Sequence, residues 1–162
     1  MPDWTDEEPV TLSVVDRITL DHSGFRGRGG TVAQLKQFVF RDLTVLLNTK
    51  FRERDIPQDF EHSRNSLLAY GIPDFTHLSP DNVGEIRTLE RAIRDAIRTF
   101  EPRLKDVTVE FQLPPKGEKN GPSALHYRVT ALLLIKPEPE PIQFDTVLHP
   151  ETKKIEVTED AT

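Results

Sequence analysis

The residues whose types and spacing best suit chemistry form the stretch Glu101-Pro102-Arg103, in which an acid and a base flank a proline. A helical pattern runs up to Phe100 and an alternating pattern follows, so the stretch lies at a joint between helix and strand. In an extended segment, residues i and i+2 point to the same side, and proline stiffens the backbone. The spacing predicts a rigid acid–base pair that either docks a partner or clamps the protein's own helix to its sheet. Spacing alone leaves both alternatives open, beside the plainer one of a helix stop with a surface pair.

A glycosidase pair is a second chemistry to consider, with Glu101 and either Asp74 or Asp106 as its carboxylates. Such a pair needs two carboxyl groups about 5–10 Å apart across a cleft, one of them with a raised pKa. Arg103 beside Glu101 is expected to lower the pKa of that carboxyl, which is the wrong direction for a general acid. The sequence therefore disfavours a hydrolase.

The chain also lacks the residue spacing of two further kinds of site, a phosphate-binding loop and a metal site. The stretch GFRGRGGT, residues 24–31, is similar to a phosphate-binding P-loop, but Gly30 stands where the lysine belongs, so we expect a flexible loop. Its Arg26 and Arg28 remain able to contact an acidic partner. The chain has five histidines, none paired at i,i+4, and no cysteine, so we expect no metal site, no cofactor and no thiol nucleophile.

The composition indicates one domain and restricts the partners. Net charge is −6, and no basic tract suggests nucleic acid. The longest apolar run, residues 131–135, is far too short to span a bilayer. We expect a cytoplasmic protein with an acidic flexible N-terminus (residues 1–9), a single domain (residues 10–158) and a disordered acidic tail (residues 159–162).

Helical periodicity predicts three helices in the first hundred residues. A short one is indicated by the spacing of Leu12, Val15 and Ile18. A longer one covers residues 32–48 with Thr31 as its N-cap, and its apolar face has one polar exception, Asp42. The third is predicted to start at Ser79 as N-cap with Pro80 at its first position, and it stops at Glu101 because Pro102 follows. Its apolar face also has one polar exception, Glu90.

Alternating apolar residues predict strands after the last helix. The first three strands are expected at residues 106–113, 123–135 and 141–148, with a fourth near Ile155 and Val157. Proline-rich stretches at residues 114–122 and 136–141 separate the first three. Helices first and strands afterwards predict an α+β fold, with N-terminal helices packed on one face of a small, mostly antiparallel C-terminal sheet.

Four blocks in a fixed order carry a family resemblance. They are RDLTVLLNTK (residues 41–50), SLLAYGIPDF (66–75), FEPRL (100–104) followed by VTVEF, and, more weakly, FDTVLHPET (144–152). The chain resembles the TssE family of type VI secretion baseplate subunits, which is related to a wedge subunit of contractile phage-tail baseplates. Ala69 stands where members of that family often have asparagine, which puts in doubt a side-chain hydrogen bond at that turn.

The resemblance implies a structural subunit rather than an enzyme, in the cytoplasm of a bacterium and in a baseplate docked at the inner membrane. It implies other wedge subunits and contractile sheath subunits as partners, with no nucleic acid, no cofactor and no direct membrane insertion. By the family motif, Glu101, Pro102 and Arg103 contact the core of the wedge. The resemblance also implies that the sheet pairs with sheath strands, and the candidate residues for this pairing are Val107, Val109, Phe111, Tyr127, Val129 and Phe144.

An open edge of a small antiparallel sheet offers unpaired backbone groups to another chain's strand, which suits a subunit that initiates a sheath. If Arg103 is displayed outward, its replacement by alanine should weaken wedge binding and leave the isolated fold nearly intact. Two other functions stay as alternatives. One is a peptidoglycan-cleaving, lysozyme-like baseplate enzyme, and the other is a free-standing adaptor domain unrelated to contraction.

Overall fold

A computed structural model describes residues 31–51, 66–75, 82–113, 124–136, 138–149 and 151–159. Within those residues, two helices precede a four-stranded antiparallel sheet, which confirms the predicted α+β fold. The elements are helix α1 (Val32–Asn48), a 3-10 turn (Leu67–Ala69), helix α2 (Val83–Phe100), and strands β1 (Leu104–Gln112), β2 (Leu125–Leu133), β3 (Glu140–His149) and β4 (Lys154–Glu159).

Helix α1 has the predicted bounds because its first turn is capped from both directions. The Thr31 hydroxyl accepts a hydrogen bond from the Gln34 N–H at 3.2 Å, and the Gln34 side chain accepts one from the Thr31 N–H at 3.0 Å. Its apolar stripe is buried at the spacing that the sequence predicted, with Leu35, Val39, Leu43, Leu46 and Leu47 in the core.

Helix α2 ends at Phe100, as predicted, but its predicted start is wrong. The cap is Asn82, whose Oδ1 accepts hydrogen bonds from the N–H groups of Gly84 at 3.0 Å and Glu85 at 3.4 Å. Asparagine caps a helix as well as serine does, so Asn82 takes the role assigned to Ser79. Ser79 and Pro80 themselves lie outside the described residues.

The strands form a meander in the order β1-β2-β3-β4, with every neighbouring pair antiparallel. Alternate residues fill one face, so the predicted period of two is confirmed. Strand β1 begins two residues before the predicted start and contains an irregularity between Lys105 and Thr108, where Asp106 has a φ of 51°. Strand β4 ends at Glu159, one residue past the predicted end of the domain.

Both helices pack on the apolar face of the sheet, and one core cluster joins them to it. Helix α1 is tied to the far strands, since Lys36 pairs with Glu140 at 2.5 Å and Asn48 bonds to the backbone of Ile155. Helix α2 is tied to the first strand by Arg98, which donates to the Val107 carbonyl at 3.1 Å. The helices thus lie side by side across the sheet.

Several predicted features lie outside the described residues: the short helix around Leu12, Val15 and Ile18, the glycine-rich loop with Arg26 and Arg28, and the loop at residues 114–122. No helix in the described part of the chain is long and apolar enough to cross a membrane.

Candidate functional site

The guanidinium of Arg103 lies between two carboxylates. Its Nε donates to Glu101 Oε1 and its Nη2 to Glu101 Oε2, each at 2.6 Å, which is the bidentate geometry of a strong charge-assisted pair. The same Nη2 donates to Asp42 Oδ2 at 2.6 Å. We call Asp42, Glu101 and Arg103 the ionic cluster. It joins helix α1 to the joint between α2 and β1.

The ionic cluster is largely buried, so the Glu-Pro-Arg stretch clamps the helix to the sheet within the chain, and its docking of a partner stays a prediction. Glu101 is only 4% exposed, and the side chains of Arg103 and Asp42 are 23% and 34% exposed. A buried carboxylate is tolerated only when it is paired and hydrogen-bonded. Glu101 therefore requires the ion pair with Arg103 already in the isolated chain. The acid–base pair is a clamp within the chain, and Pro102 between them is the exposed member.

The backbone at this joint is a turn rather than the extended segment that the spacing suggested. The Leu104 N–H donates to the Glu101 carbonyl at 3.1 Å, and the Arg103 N–H donates to Glu101 Oε1 at 3.2 Å. The two side chains therefore meet because the chain folds back, and not because an extended strand displays them on one side. This turn directs the guanidinium towards α1.

Asp42 belongs to the site, and the sequence analysis noted it without assigning it a role. It stood out as the polar exception on the apolar face of α1, and the structure explains it by the hydrogen bond from Arg103. Its other oxygen, Oδ1, accepts from Arg41 Nε at 3.0 Å and Nη2 at 2.8 Å. An acid on an apolar helix face indicates a buried cation nearby, which is the signal that points to Arg103.

Arg103 keeps its positive charge at ordinary pH. Burial by itself lowers the pKa of Arg103, but the hydrogen bonds that Arg103 donates to Glu101 and Asp42 raise it above the usual value for arginine. Burial raises the pKa of Tyr70, and the charges of Asp42 and Glu101 raise it further. Arg103 therefore stays charged and holds the cluster together as an ionic joint.

An aromatic pair lies beside the ionic cluster. The rings of Tyr70 and Phe100 meet edge to face, with centroids 5.3 Å apart. Tyr70 reaches this place because Gly71 follows it with a φ of 116°, and a Cβ on Gly71 would come within 2.2 Å of the Thr49 carbonyl oxygen. The next residue, Ile72, donates its N–H to that same carbonyl at 2.9 Å. Only glycine fits this close approach, which holds the 66–75 segment against the end of α1.

The carboxylates proposed for a glycosidase do not form a site. Both oxygens of Glu101 accept hydrogen bonds from Arg103 and the side chain is buried, so the carboxylate is not accessible to a substrate. Asp74 accepts from Lys50 at 2.9 Å, and Asp106 is an exposed residue at the irregularity of β1. The geometry gives no support to the lysozyme-like alternative.

The structure also sorts the residues predicted for strand pairing. Tyr127 and Val129 lie in β2 and Phe144 lies in β3, and each of these strands has a neighbour on both sides. Their backbones are already paired within the chain, so they serve as core residues. Val107, Val109 and Phe111 lie in β1, an outer strand, and stay candidates.

One exposed apolar feature adjoins the site and was missed by the sequence reasoning. Leu67 and Leu68 are 83% and 72% exposed, and they border a shallow hollow with Phe100. Phe100 is two residues before Pro102 and packs on Tyr70, so the leucines continue the surface beside the ionic cluster. The sequence signal that could have indicated this exposed apolar surface is the pair of adjacent leucines in a polar stretch.

Comparison with known proteins gives one family. The family model described as "Baseplate wedge protein gp25" matches residues 33–138, which is more than half of the chain. No curated protein matches the chain. Among solved structures, a chain of "The baseplate complex from the type VI secretion system" is similar, with 17% sequence identity and a TM-score of 0.48, over 79% of this chain and 97% of that chain.

Proposed function

Because the chain belongs to the family of the baseplate wedge protein gp25, its role is that of a structural baseplate subunit, and we propose that it works in a type VI secretion system. In this proposal it joins the baseplate wedge to the contractile sheath and starts sheath polymerisation by strand pairing. Its partners are other wedge subunits and sheath subunits, and it acts on the cytoplasmic side of the bacterial inner membrane, where the baseplate docks. No catalytic step is assigned to it.

The observation that supports this proposal best is the meeting of three separate sequence blocks at one point. The block at residues 41–50 supplies Asp42, the block at residues 66–75 supplies Tyr70, and the block at residues 100–104 supplies Phe100, Glu101 and Arg103. Residues that carry a family resemblance and are far apart in sequence thus form one joint. A joint of this kind fixes the shape of the nearby surface.

We propose that the wedge binds the surface that this joint holds in place. Pro102 is exposed, and Leu67 and Leu68 are exposed beside Phe100, which precedes Pro102 by two residues. Glu101 is buried and acts from inside, since it holds Arg103 in a single orientation. In this form the motif Glu101-Pro102-Arg103 serves wedge binding as a unit: Pro102 makes the contact, and the ion pair of Glu101 and Arg103 holds it in place.

The outer strands of the sheet suit the sheath. A meander of four strands has two outer strands, β1 and β4, and an outer strand is a template for another chain's backbone. Strand β1 starts at the ionic cluster and runs for nine residues, so its last residue lies about 26 Å from its first at roughly 3.3 Å per residue. One subunit therefore has room to bind the wedge at one end of β1 and a sheath strand along the rest.

Co-purification with the wedge and sheath subunits tests the proposal. The variant Leu67→Ser/Leu68→Ser removes exposed apolar surface without touching the core, and we expect it to lose most wedge capture and to keep sheath capture. The matched control is Val83→Ser, since Val83 is also exposed but lies at the other end of α2, about 26 Å from Phe100. Wedge capture that is equal in all three proteins would contradict the assigned surface. Failure of the wild type to capture either partner would contradict the function itself.

A further inference from the structure

The outer edge of β4 is occupied at Ile155 by a side chain of helix α1. The Ile155 N–H donates to Asn48 Oδ1 at 3.0 Å, and Asn48 Nδ2 donates to the Ile155 carbonyl at 2.8 Å. A residue of a neighbouring antiparallel strand would make the same two bonds, one as donor and one as acceptor. The amide of Asn48 thus takes the place of a strand residue at this point of the edge.

Asn48 is held firmly in that position. It is the last residue of α1, and its Nδ2 also donates to the Thr44 carbonyl at 2.8 Å. Ile155 beneath it is buried in the core together with Leu47. A strand that paired with the start of β4 would have to displace the end of α1 and break both bonds to Ile155.

The outer edge of β1 differs from that of β4 in what lies against it. In the part of the chain that the structure describes, β1 has β2 on one side and no strand on the other. Its first residues are engaged, since the irregularity lies between Lys105 and Thr108 and Arg98 donates to the Val107 carbonyl at 3.1 Å. Regular strand geometry then continues over residues 108–112, where pairs with β2 run in unbroken register. This stretch is long enough for another strand to pair with it.

We propose that Asn48 closes the β4 edge to strand addition and thereby directs the incoming sheath strand to residues 108–112 of β1. The identity of that strand rests on the proposed function, whereas the closure of β4 rests on the bonds of Asn48 alone. Asn48 is a positioning residue: it makes no contact with the sheath and decides which edge is available. The backbone of β1 supplies the hydrogen bonds to the incoming strand.

Photo-crosslinking from the two outer strands tests the choice of edge. Thr108 on β1 and Thr158 on β4 are both exposed threonines on the same face of the sheet, so a photoreactive residue at each position gives a matched pair. The full chain is co-expressed with the sheath subunits. We expect the sheath to crosslink from position 108 and not from 158 in the wild type. In the Asn48→Ala background, crosslinking from 158 should appear.

Each outcome has a distinct meaning. Crosslinking of the wild type from 158 as strongly as from 108 would overturn the choice of edge and leave the proposed function in place. Failure to crosslink from either position in an assembled baseplate would overturn strand pairing itself, and the inference with it. The control Thr44→Val removes a hydrogen bond of 2.8 Å to the Phe40 carbonyl at the same end of α1 without altering Asn48, and it should behave as the wild type does.

Amide hydrogen exchange of the purified chain tests the closure of β4 without any partner. We expect the Ile155 amide to exchange at least about tenfold faster in Asn48→Ala, since it loses its acceptor, and to be unchanged in Thr44→Val. If Asn48→Ala does not fold, Asn48→Asp keeps an acceptor for the Ile155 N–H and loses the donor to its carbonyl. That variant should then retain protection of Ile155 while allowing crosslinking from 158. Unchanged exchange of Ile155 in folded Asn48→Ala would overturn the proposal.

Discussion

Arg103 Nη2 donates to Asp42 Oδ2 across 2.6 Å, although the two residues are 61 positions apart in the chain. The bond ties the only acid on the apolar face of α1 to the turn that leads into the sheet. It also accounts for a motif that looks from its spacing like a docking feature on the surface. Arg103 stabilises the fold, and the position of the surface around Pro102 depends on Arg103.

Replacing Arg103 with alanine should destabilise the isolated protein strongly. The change leaves Glu101 buried without its cation, and breaking a buried ion pair in this way costs about 3–5 kcal/mol. If the Arg103 side chain pointed into solvent, the same change would leave the stability of the isolated protein nearly unaltered. Urea denaturation followed by circular dichroism measures the difference. Arg41→Ala is the control, because Arg41 also binds Asp42 but is largely exposed, and it should cost under about 1 kcal/mol.

Replacing Gly71 with alanine should also destabilise the fold. The backbone there has a φ of 116°, and the added Cβ would lie 2.2 Å from the Thr49 carbonyl oxygen, so the bond between Ile72 and Thr49 has to move. We expect a loss of at least about 2 kcal/mol in thermal or urea unfolding. Gly84→Ala in α2 meets only the Asn82 side chain, at 3.2 Å, and should change stability by less than about 1 kcal/mol. Equal effects of the two changes would contradict the packing at Gly71.

The start of α2 can be located by exchanging its cap. Asn82→Ala removes the acceptor for the N–H groups of Gly84 and Glu85 and should cost about 1 kcal/mol. Ser79→Ala should cost clearly less, because Asn82 is the cap. Differential scanning calorimetry of the two variants beside the wild type measures both effects. A larger loss of stability in Ser79→Ala than in Asn82→Ala would show that α2 starts at Ser79, as the sequence alone predicted.

Alkaline pH should weaken the fold through its buried tyrosines. Burial, with a smaller effect of Glu90, raises the pKa of Tyr127 above its ordinary value of 10.0, and its hydroxyl donates to the Ile86 carbonyl at 3.3 Å. The folded state therefore keeps a proton that the unfolded state releases above about pH 10. Stability is fully present below that pH and falls as the pH rises further. Tyr127→Phe should make the fall less steep in urea titrations between about pH 9 and 11, and the part due to Tyr70 should remain.

Local rules predicted the helices well because their signals are short in range. The capping box at Thr31 and the 3.6-residue period set both ends of α1, and Pro102 set the end of α2. The start of α2 was wrong because two good cap residues, Ser79 and Asn82, lie three positions apart and propensity does not separate them. Alternation in β2 and β3 gave the buried face correctly.

The site was only partly predictable because its contacts are long in range. The sequence drew attention to Glu101, Arg103 and Asp42 separately, but nothing local pairs residue 103 with residue 42. The turn at Pro102 sends Arg103 inward, and the second carboxylate that Arg103 meets there belongs to α1, far away in sequence. In the same way, strand order decides that Tyr127, Val129 and Phe144 are internal, and an alternating pattern carries no information about order.

The most direct test of the account is wedge capture by a variant that keeps the joint stable without its charges. Replacement of a buried ion pair by apolar residues of similar volume is close to neutral for stability, whereas removal of one partner is not. We therefore predict that Glu101→Leu/Arg103→Met recovers most of the stability lost in Arg103→Ala, and that it recovers wedge capture in step. A double variant as stable as the wild type that still fails to capture the wedge would show that the charged groups contact the partner themselves, which would contradict the account.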